Sequence, residues 1–244
     1  MFSHVSRLPP PTAVAFSRRV RAWYIRAGRD LPWRRTRDPY RVLVSELMLQ
    51  QTQVSRVLDY YASFLKRFPT MQSVAEARPG AVLAAWRGLG YYARARNLHR
   101  LARTLGRAPL PDDPAVLARL PGIGAYTAGA IASFAYERRA ALVDTNVARV
   151  LLRVFAPRLD PRTARGRRAA WTIAEATLPR TGRATYTHNQ AVMELGATIC
   201  TARVRHCSRC PVRAVCATGT RPRPGSRTQP EKSAASRPRT RAGP

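Results

Sequence analysis

Leu120-Pro-Gly-Ile-Gly-Ala-Tyr-Thr-Ala-Gly-Ala-Ile131 decides the architecture. Upstream of it, Ala115-Val-Leu-Ala-Arg-Leu120 is built of helix formers, and downstream a second helix is expected from Ala125. Two glycines therefore join two helices. Glycine lets a backbone turn sharply and approach a neighbour closely. The first turn of the following helix offers unpaired N–H groups to an anion. A tight helix–helix turn and a phosphate-binding hairpin are equally good readings of this stretch alone. A dinucleotide fingerprint, with Asp144 about twenty residues beyond Gly124, requires a strand before the glycines. None is expected there, and the third glycine is displaced to Gly129. The missing Gly-Lys-Ser/Thr ending excludes a P-loop.

The helical period continues on both sides. Val54, Val57, Leu58, Tyr61, Phe64, Leu65 and Phe68 recur at three- and four-residue steps. Leu83–Trp86, Leu98–Leu105, Val116–Leu120, Thr127–Phe134, Val147–Phe155 and Trp171–Leu178 behave alike. Prolines and the Gly88/Gly90 pair punctuate them. Ala140–Val143 is the one ambiguous strand candidate, and no internal repeat stands out. From about Thr218 the chain is rich in Pro, Arg, Ser and Thr without periodicity, so 217–244 is expected to be a disordered basic tail.

The 244 residues suffice for one large domain or two modest ones sharing an interface. No apolar run approaches membrane-spanning length, so no membrane partner is expected. The N-terminus lacks a secretory pattern. It is Arg-rich and acid-poor, so a short organellar targeting peptide is the alternative to an untargeted cytosolic protein. The formal charge is +30, and Lys66 and Lys232 are the only lysines. Such a surface attracts polyanions, above all phosphate backbones. A solvated basic face with an arginine bias is the plainer account. Residues 217–244 carry +6 of the total, leaving +24 on the rest. That balance favours a nucleic acid partner.

All four cysteines fall in one loop, Cys200, Cys207, Cys210 and Cys216, spaced C-x6-C-x2-C-x5-C. A secreted disulfide framework spreads its cysteines, whereas this clustering points to a metal centre in a reducing compartment. Four thiolates in one loop suit an iron–sulfur cluster. Zinc is the competitor, although structural zinc loops usually carry two short cysteine pairs.

Glu46 lies in Val42-Leu-Val-Ser-Glu-Leu-Met-Leu-Gln50, with Val42, Leu43, Leu49 and Gln50 as helical neighbours. Burial on such a face raises a carboxyl pKa, and a carboxyl protonated near neutrality can act as a general acid. A structural, hydrogen-bonded glutamate is the commoner case. Gln50 and Gln53 put amides on the same face, suited to base edges. Asp144 precedes Thr-Asn-Val-Ala-Arg-Val and reads as an N-cap. A cap carboxylate facing a pocket can also stabilise a developing cation.

Taken together, the chain resembles the helix-hairpin-helix DNA glycosylases with a [4Fe-4S] loop, and among them the adenine-excising MutY type. The resemblance runs from about Leu31 to Cys216. It rests on Leu31-Pro-Trp-Arg34, Ser45-Glu-Leu-Met-Leu-Gln-Gln-Thr-Gln-Val54 and Gly88-Leu-Gly-Tyr-Tyr-Ala-Arg-Ala-Arg-Asn-Leu98. It continues through the 120–131 hairpin, Val143-Asp-Thr-Asn-Val147, Asn189-Gln-Ala-Val-Met-Glu-Leu-Gly196 and the cysteine loop.

The resemblance implies an all-α fold of two helical lobes with a DNA-binding cleft between them. One lobe, 31–138, is a six-helix barrel carrying the helix-hairpin-helix. The other, 1–30 plus 139–216, holds a [4Fe-4S] cluster on Cys200, Cys207, Cys210 and Cys216. The implied substrate is adenine mispaired with 8-oxoguanine or guanine in duplex DNA. Glu46 would protonate the adenine ring, and Asp144 would steady the oxocarbenium-like sugar. Tyr126 and Asn146 would hold that carboxylate and the water. Arg34 and Gln190 would contact the extruded base. Gln50, Gln51 and Tyr91 would serve the stack near the opposite base. Gly122, Ile123 and Gly124 would offer N–H groups to a phosphate.

In endonuclease III-like relatives a lysine stands where Tyr126 is. Tyrosine cannot form a Schiff base, so hydrolysis without efficient strand cleavage is implied. A T·G or U·G mismatch glycosylase, or a non-catalytic iron–sulfur DNA-binding protein, is the alternative. Thr145 stands where glycine is common in the family. MutY-type proteins usually carry a C-terminal recognition domain that helps read 8-oxoguanine, and none is expected after the basic tail. A monomer in the cytoplasm, associated with the nucleoid, is expected.

Overall fold

A computed structural model of the chain describes residues 10–219. The expected basic tail lies, from residue 220 on, outside the described residues, as do residues 1–9. Among the described residues the structure is all helical, with no strand beyond one isolated bridge between Cys200 and Arg205. The helices are α1 (Pro10–Ala27), α2 (Pro39–Leu49), α3 (Val54–Arg67), α4 (Met71–Glu76), α5 (Pro79–Ala85) and α6 (Ala93–Leu105). They continue as α7 (Pro114–Leu117), α8 (Ala125–Phe134), α9 (Thr145–Phe155), α10 (Ala164–Thr177) and α11 (Gly182–Thr198). Ala140–Val143, the ambiguous strand candidate, has no regular structure. It has no neighbouring strand with which to form a ladder.

Local chemistry sets the helix starts. Proline at N1 opens α2, α5 and α7, where its missing N–H costs nothing. Asp38 accepts from the backbone N–H of Tyr40 and Arg41, and Thr163 and Thr181 cap α10 and α11 in the same manner. Thr70 and Ser73 form a reciprocal capping box on α4.

Two apolar cores result. The first gathers residues from Leu31 to Ala140, centred on Leu43, Leu47, Phe64, Trp86, Leu98 and Ile131. The second joins Phe16 and Val20 of α1 to Val147, Leu151, Ile173, Val192 and Leu195. α2 and α8 serve both. Val42 belongs to the second core while Leu43 and Leu47 belong to the first; Ala130 and Phe134 face the second, Ala128 and Ile131 the first. This explains why α8 is apolar on every side: it is buried on every side.

One boundary differs from the sequence expectation. Ala217 and Thr218, expected to open the tail, are instead tied to the end of α9. The Ala217 N–H donates to Val154 O at 2.9 Å and the Thr218 hydroxyl to Arg153 O at 2.6 Å. Backbone bonds of this kind leave no trace in composition.

Candidate active site

α2 carries Glu46 into the interior, where it is 4% exposed. The α7–α8 turn brings Tyr126 opposite it, and the Tyr126 hydroxyl donates to Glu46 Oε2 at 2.7 Å. This corrects one expectation, since the hydroxyl foreseen on Asp144 is given to Glu46. α2 and α8 pack directly on each other, which sets the two side chains face to face. Burial raises the Glu46 pKa to about 7. The Tyr126 hydrogen bond opposes that rise, the Asp144 charge adds to it, and Arg34 opposes it. Burial first, then the adjoining Glu46 and Asp144, pushes the Tyr126 phenol well above its ordinary value, so it is a neutral donor.

Asp144 caps α9. Its Oδ1 accepts from the Val147 N–H at 2.6 Å and its Oδ2 from the Asn146 amide at 3.1 Å. Burial raises its pKa, opposed by these bonds and by Arg149. Arg149 extends the chain of contacts. Its Nη2 donates to Asn146 Oδ1 at 2.7 Å and its Nε to Cys200 O at 3.0 Å. Gly196 permits this approach of α11 to α9, because a Cβ there would lie 2.8 Å from the Asn146 Cβ.

These residues border one cleft that is open to solvent. Glu46, Gln50 and Gln51 line it from α2 and its end, Gly124 and Tyr126 from the turn and α8, and Asp144 and Asn146 from α9. Arg34 joins them, but it is already engaged: its Nη2 donates to Glu194 Oε2 at 2.8 Å and its Nη1 to Arg29 O at 2.9 Å. Its Nε is buried without a partner among the described residues.

Of the other expected site residues, only Gly124 borders this cleft. Tyr91, 58% exposed, borders an adjoining groove that it shares with Gln50 and Gln51. Gly122 turns with φ +76°, and a Cβ there would lie 2.5 Å from the Asn97 Cβ, so both backbone and space demand glycine. Ile123 is buried in the first core. Gly124 begins α8 with no side-chain cap, leaving N–H groups of its first turn without a side-chain acceptor. Gln190 is 4% exposed on α11 and does not reach the cleft wall. Met193 and Glu194, one turn further along, occupy that wall instead.

Three contributors escaped the sequence reading. Glu194, with a fully buried side chain, pairs with Arg29 at 2.6 Å and with Arg34. Burial would raise its pKa, but the two guanidinium groups outweigh it and hold the carboxyl below its ordinary value. Glu194 sits among Val192, Met193 and Leu195, the same signal that singled out Glu46. Arg149, the third, carried no local signal.

The four cysteines border one small apolar cavity floored by Val150, Val154, Leu195, Ile199 and Val212. Arg153 donates to Cys200 Sγ at 3.3 Å, and the Gly219 N–H to Cys216 Sγ at 3.3 Å. Burial pushes the Cys210 thiol up to about 11, so metal binding there must displace protons. Among the described residues, no three His, Cys, Asp or Glu side chains are grouped closely enough to hold a single metal ion.

The model of the HhH-GPD superfamily of base excision DNA repair proteins matches residues 44–175, which span the hairpin, Glu46 and Asp144. The chain belongs to this superfamily. It is 42% identical over 215 residues to the adenine DNA glycosylase of Rattus norvegicus, covering 83% of this chain and 41% of that protein. It is 45% identical over 195 residues to the adenine DNA glycosylase of Mycobacterium tuberculosis, covering 78% of this chain and 64% of that one. The chain thus spans less than two thirds of these relatives. A thermostable thymine-DNA glycosylase superposes with TM-score 0.77 at 27% identity, over 86% of this HhH-GPD chain and 97% of that one. A non-covalent endonuclease III–DNA complex, at 22% identity and TM-score 0.71 over 87% and 97% of the two chains, shares the fold.

Proposed function

We propose that this HhH-GPD protein is a monofunctional adenine DNA glycosylase acting on adenine mispaired with 8-oxoguanine or guanine. One observation carries the reading: a buried Glu46, raised to about 7, shares a cleft with the Asp144 carboxylate. The adenine-glycosylase names of its relatives supply the base. The 31–138 segment forms one lobe and 139–216, with the N-terminal helix, the other.

Adenine leaves the duplex and enters the cleft, at a cost of a few kcal/mol that a mispair lowers. The Arg29–Glu194–Arg34 group offers charged and polar contacts to its edge. Glu46 gives its proton to a ring nitrogen. The bond from the sugar to the base then breaks, its electron pair leaving with adenine. Asp144 stabilises the positive sugar, aligned by Asn146 and the α9 cap. Water adds to the sugar and releases a proton, giving free adenine and an abasic site. Tyr126 holds Glu46 in place and supplies no amine, so strand cleavage through a Schiff base is not part of this chemistry. The uncapped Gly122–Gly124 turn binds a backbone phosphate.

Single-turnover reactions on a panel of mispaired duplexes test the reading. Adenine release opposite 8-oxoguanine and guanine is expected, with the abasic strand left intact. Release of thymine or uracil opposite guanine, or tight binding without any abasic product, contradicts it.

The cysteine cavity is the proposed seat of a [4Fe-4S] cluster that fixes the basic loop against DNA. Four cysteines facing one shared space, with no three grouped closely enough for a single ion, suit a multi-iron cluster better than one zinc ion, which needs its thiolates at about 2.3 Å. The sulfur-directed bonds from Arg153 and Gly219 suit thiolate ligands. Purified protein is therefore expected to be brown, with broad absorbance near about 400 nm. A colourless, zinc-loaded preparation contradicts the cluster.

A further inference from the structure

We propose that Arg94 is a positioning residue that holds two DNA-facing turns in one register and thereby sets discrimination of the base opposite the extruded adenine. The inference rests on the glycosylase reading above. It begins from backbone geometry. Gln51 and Tyr91 have φ of +55° and +47°, and among non-glycine described residues only Glu137 shares the left-handed region. Such backbones persist where their surroundings over-determine them, and they cluster at functional sites. Both residues are exposed, and they border a single groove. That groove shares Gln50 and Gln51 with the cleft holding Glu46.

Arg94 makes most of the bonds that tie the two turns together; the Thr52 hydroxyl also donates to Leu89 O, at 3.5 Å. It is 6% exposed on α6. Its Nη1 donates to Leu47 O and Met48 O, each at 2.8 Å, and to Gln50 O at 2.5 Å. Those are carbonyls of the last turn of α2 and its C-cap, which the helix itself leaves without partners. Its Nη2 donates to Leu89 O at 3.1 Å, Gly90 O at 3.0 Å and Thr52 Oγ1 at 3.1 Å. The Nε reaches Tyr91 O at 3.4 Å. One planar fork of five N–H groups, each Nη sharing its two hydrogens among three acceptors, thus serves residues 47–52 on one side and 89–91 on the other. The positive charge also complements the carbonyl end of α2. None of the seven salt bridges among the described residues involves it, so its donors go to this junction. The result is an amide and a phenol ring held at fixed separation on one groove, the chemistry that reads a base edge and stacks on an exposed base.

Arg94→Lys keeps the buried cation but replaces the fork with a point charge. Amide hydrogen exchange of the DNA-free protein is expected to rise about tenfold in both 47–53 and 88–92, and not in 144–149. The ratio of single-turnover adenine release opposite 8-oxoguanine to that opposite cytosine is expected to narrow by about tenfold. Unchanged exchange in either turn, or unchanged discrimination with both turns loosened, overturns the proposal. Thr52→Val, which removes an acceptor of the fork together with the hydroxyl's own bonds to Gln50 O and Leu89 O and spares the charge, is the second variant should the first not fold. It is expected to raise exchange in both turns without lowering the melting temperature, and unchanged exchange overturns the proposal there too. If the wild type releases no adenine from any duplex, the glycosylase reading fails. The paired exchange response still decides whether one guanidinium holds both turns.

Discussion

Glu46→Gln is expected to lower the single-turnover rate of adenine release by about a hundred- to ten-thousandfold, the usual worth of a positioned general acid. The substitution keeps the shape of the side chain and an oxygen able to accept from the Tyr126 hydroxyl. It removes the transferable proton alone. Binding to a mispaired duplex is expected to hold within a few-fold, because uniform binding and transition-state stabilisation separate in such a variant. Stability moves the other way. A carboxyl raised from 4.5 to about 7 favours the folded state below its unfolded pKa, and that contribution is lost as pH rises through 7. At pH 8 the charged Glu46 is therefore a burden on the fold, and replacing it by glutamine is expected to stabilise by up to roughly 3 kcal/mol. Denaturant unfolding at pH 8 checks this. A variant at once less active and more stable separates a catalytic group from a structural one.

Asp144→Asn has the second largest expected effect. Asparagine caps helices about as well as aspartate, so α9 keeps its start and the melting temperature is expected to change little. The lost charge is the one proposed to stabilise the sugar cation. Removing such a preorganised electrostatic group costs about a hundred- to a thousandfold in rate. Rapid-quench measurement of adenine release, with circular dichroism melting as the control, distinguishes the two roles. A melting temperature that collapses with activity would mean that the cap, and not the charge, was the contribution of this side chain.

Much of this was legible in the residues. Glu46 was singled out by its apolar helical neighbours, and burial follows from that placement. Asp144 was read as a cap, and it is one. The hairpin glycines were read from their helix-forming flanks, and the structure adds the reason that Gly122 cannot be replaced, the Asn97 side chain beneath it. What escaped was long-range. The partner of Tyr126 depends on α8 packing against α2, and nothing near residue 126 says whether Glu46 or Asp144 will receive its hydroxyl. Arg94 and Arg149 each act on carbonyls or amides far along the chain, which periodicity does not register. Gln190 shows the converse. Its motif matched, but the phase of α11 turns Met193 and Glu194 to the cleft. α1 went unread because it lacks a clean apolar stripe, though Phe16 and Val20 bury it against the second core.

The central claim is that a buried carboxyl, protonated near neutrality, gives its proton to the departing base. The pH dependence of adenine release under kcat/KM conditions tests it most directly. The account predicts a rate that falls on the alkaline side with an apparent pKa near 7, and a residual Glu46→Gln activity without that limb. A wild-type profile flat from pH 6 to 9, or an alkaline limb retained in Glu46→Gln, would contradict it.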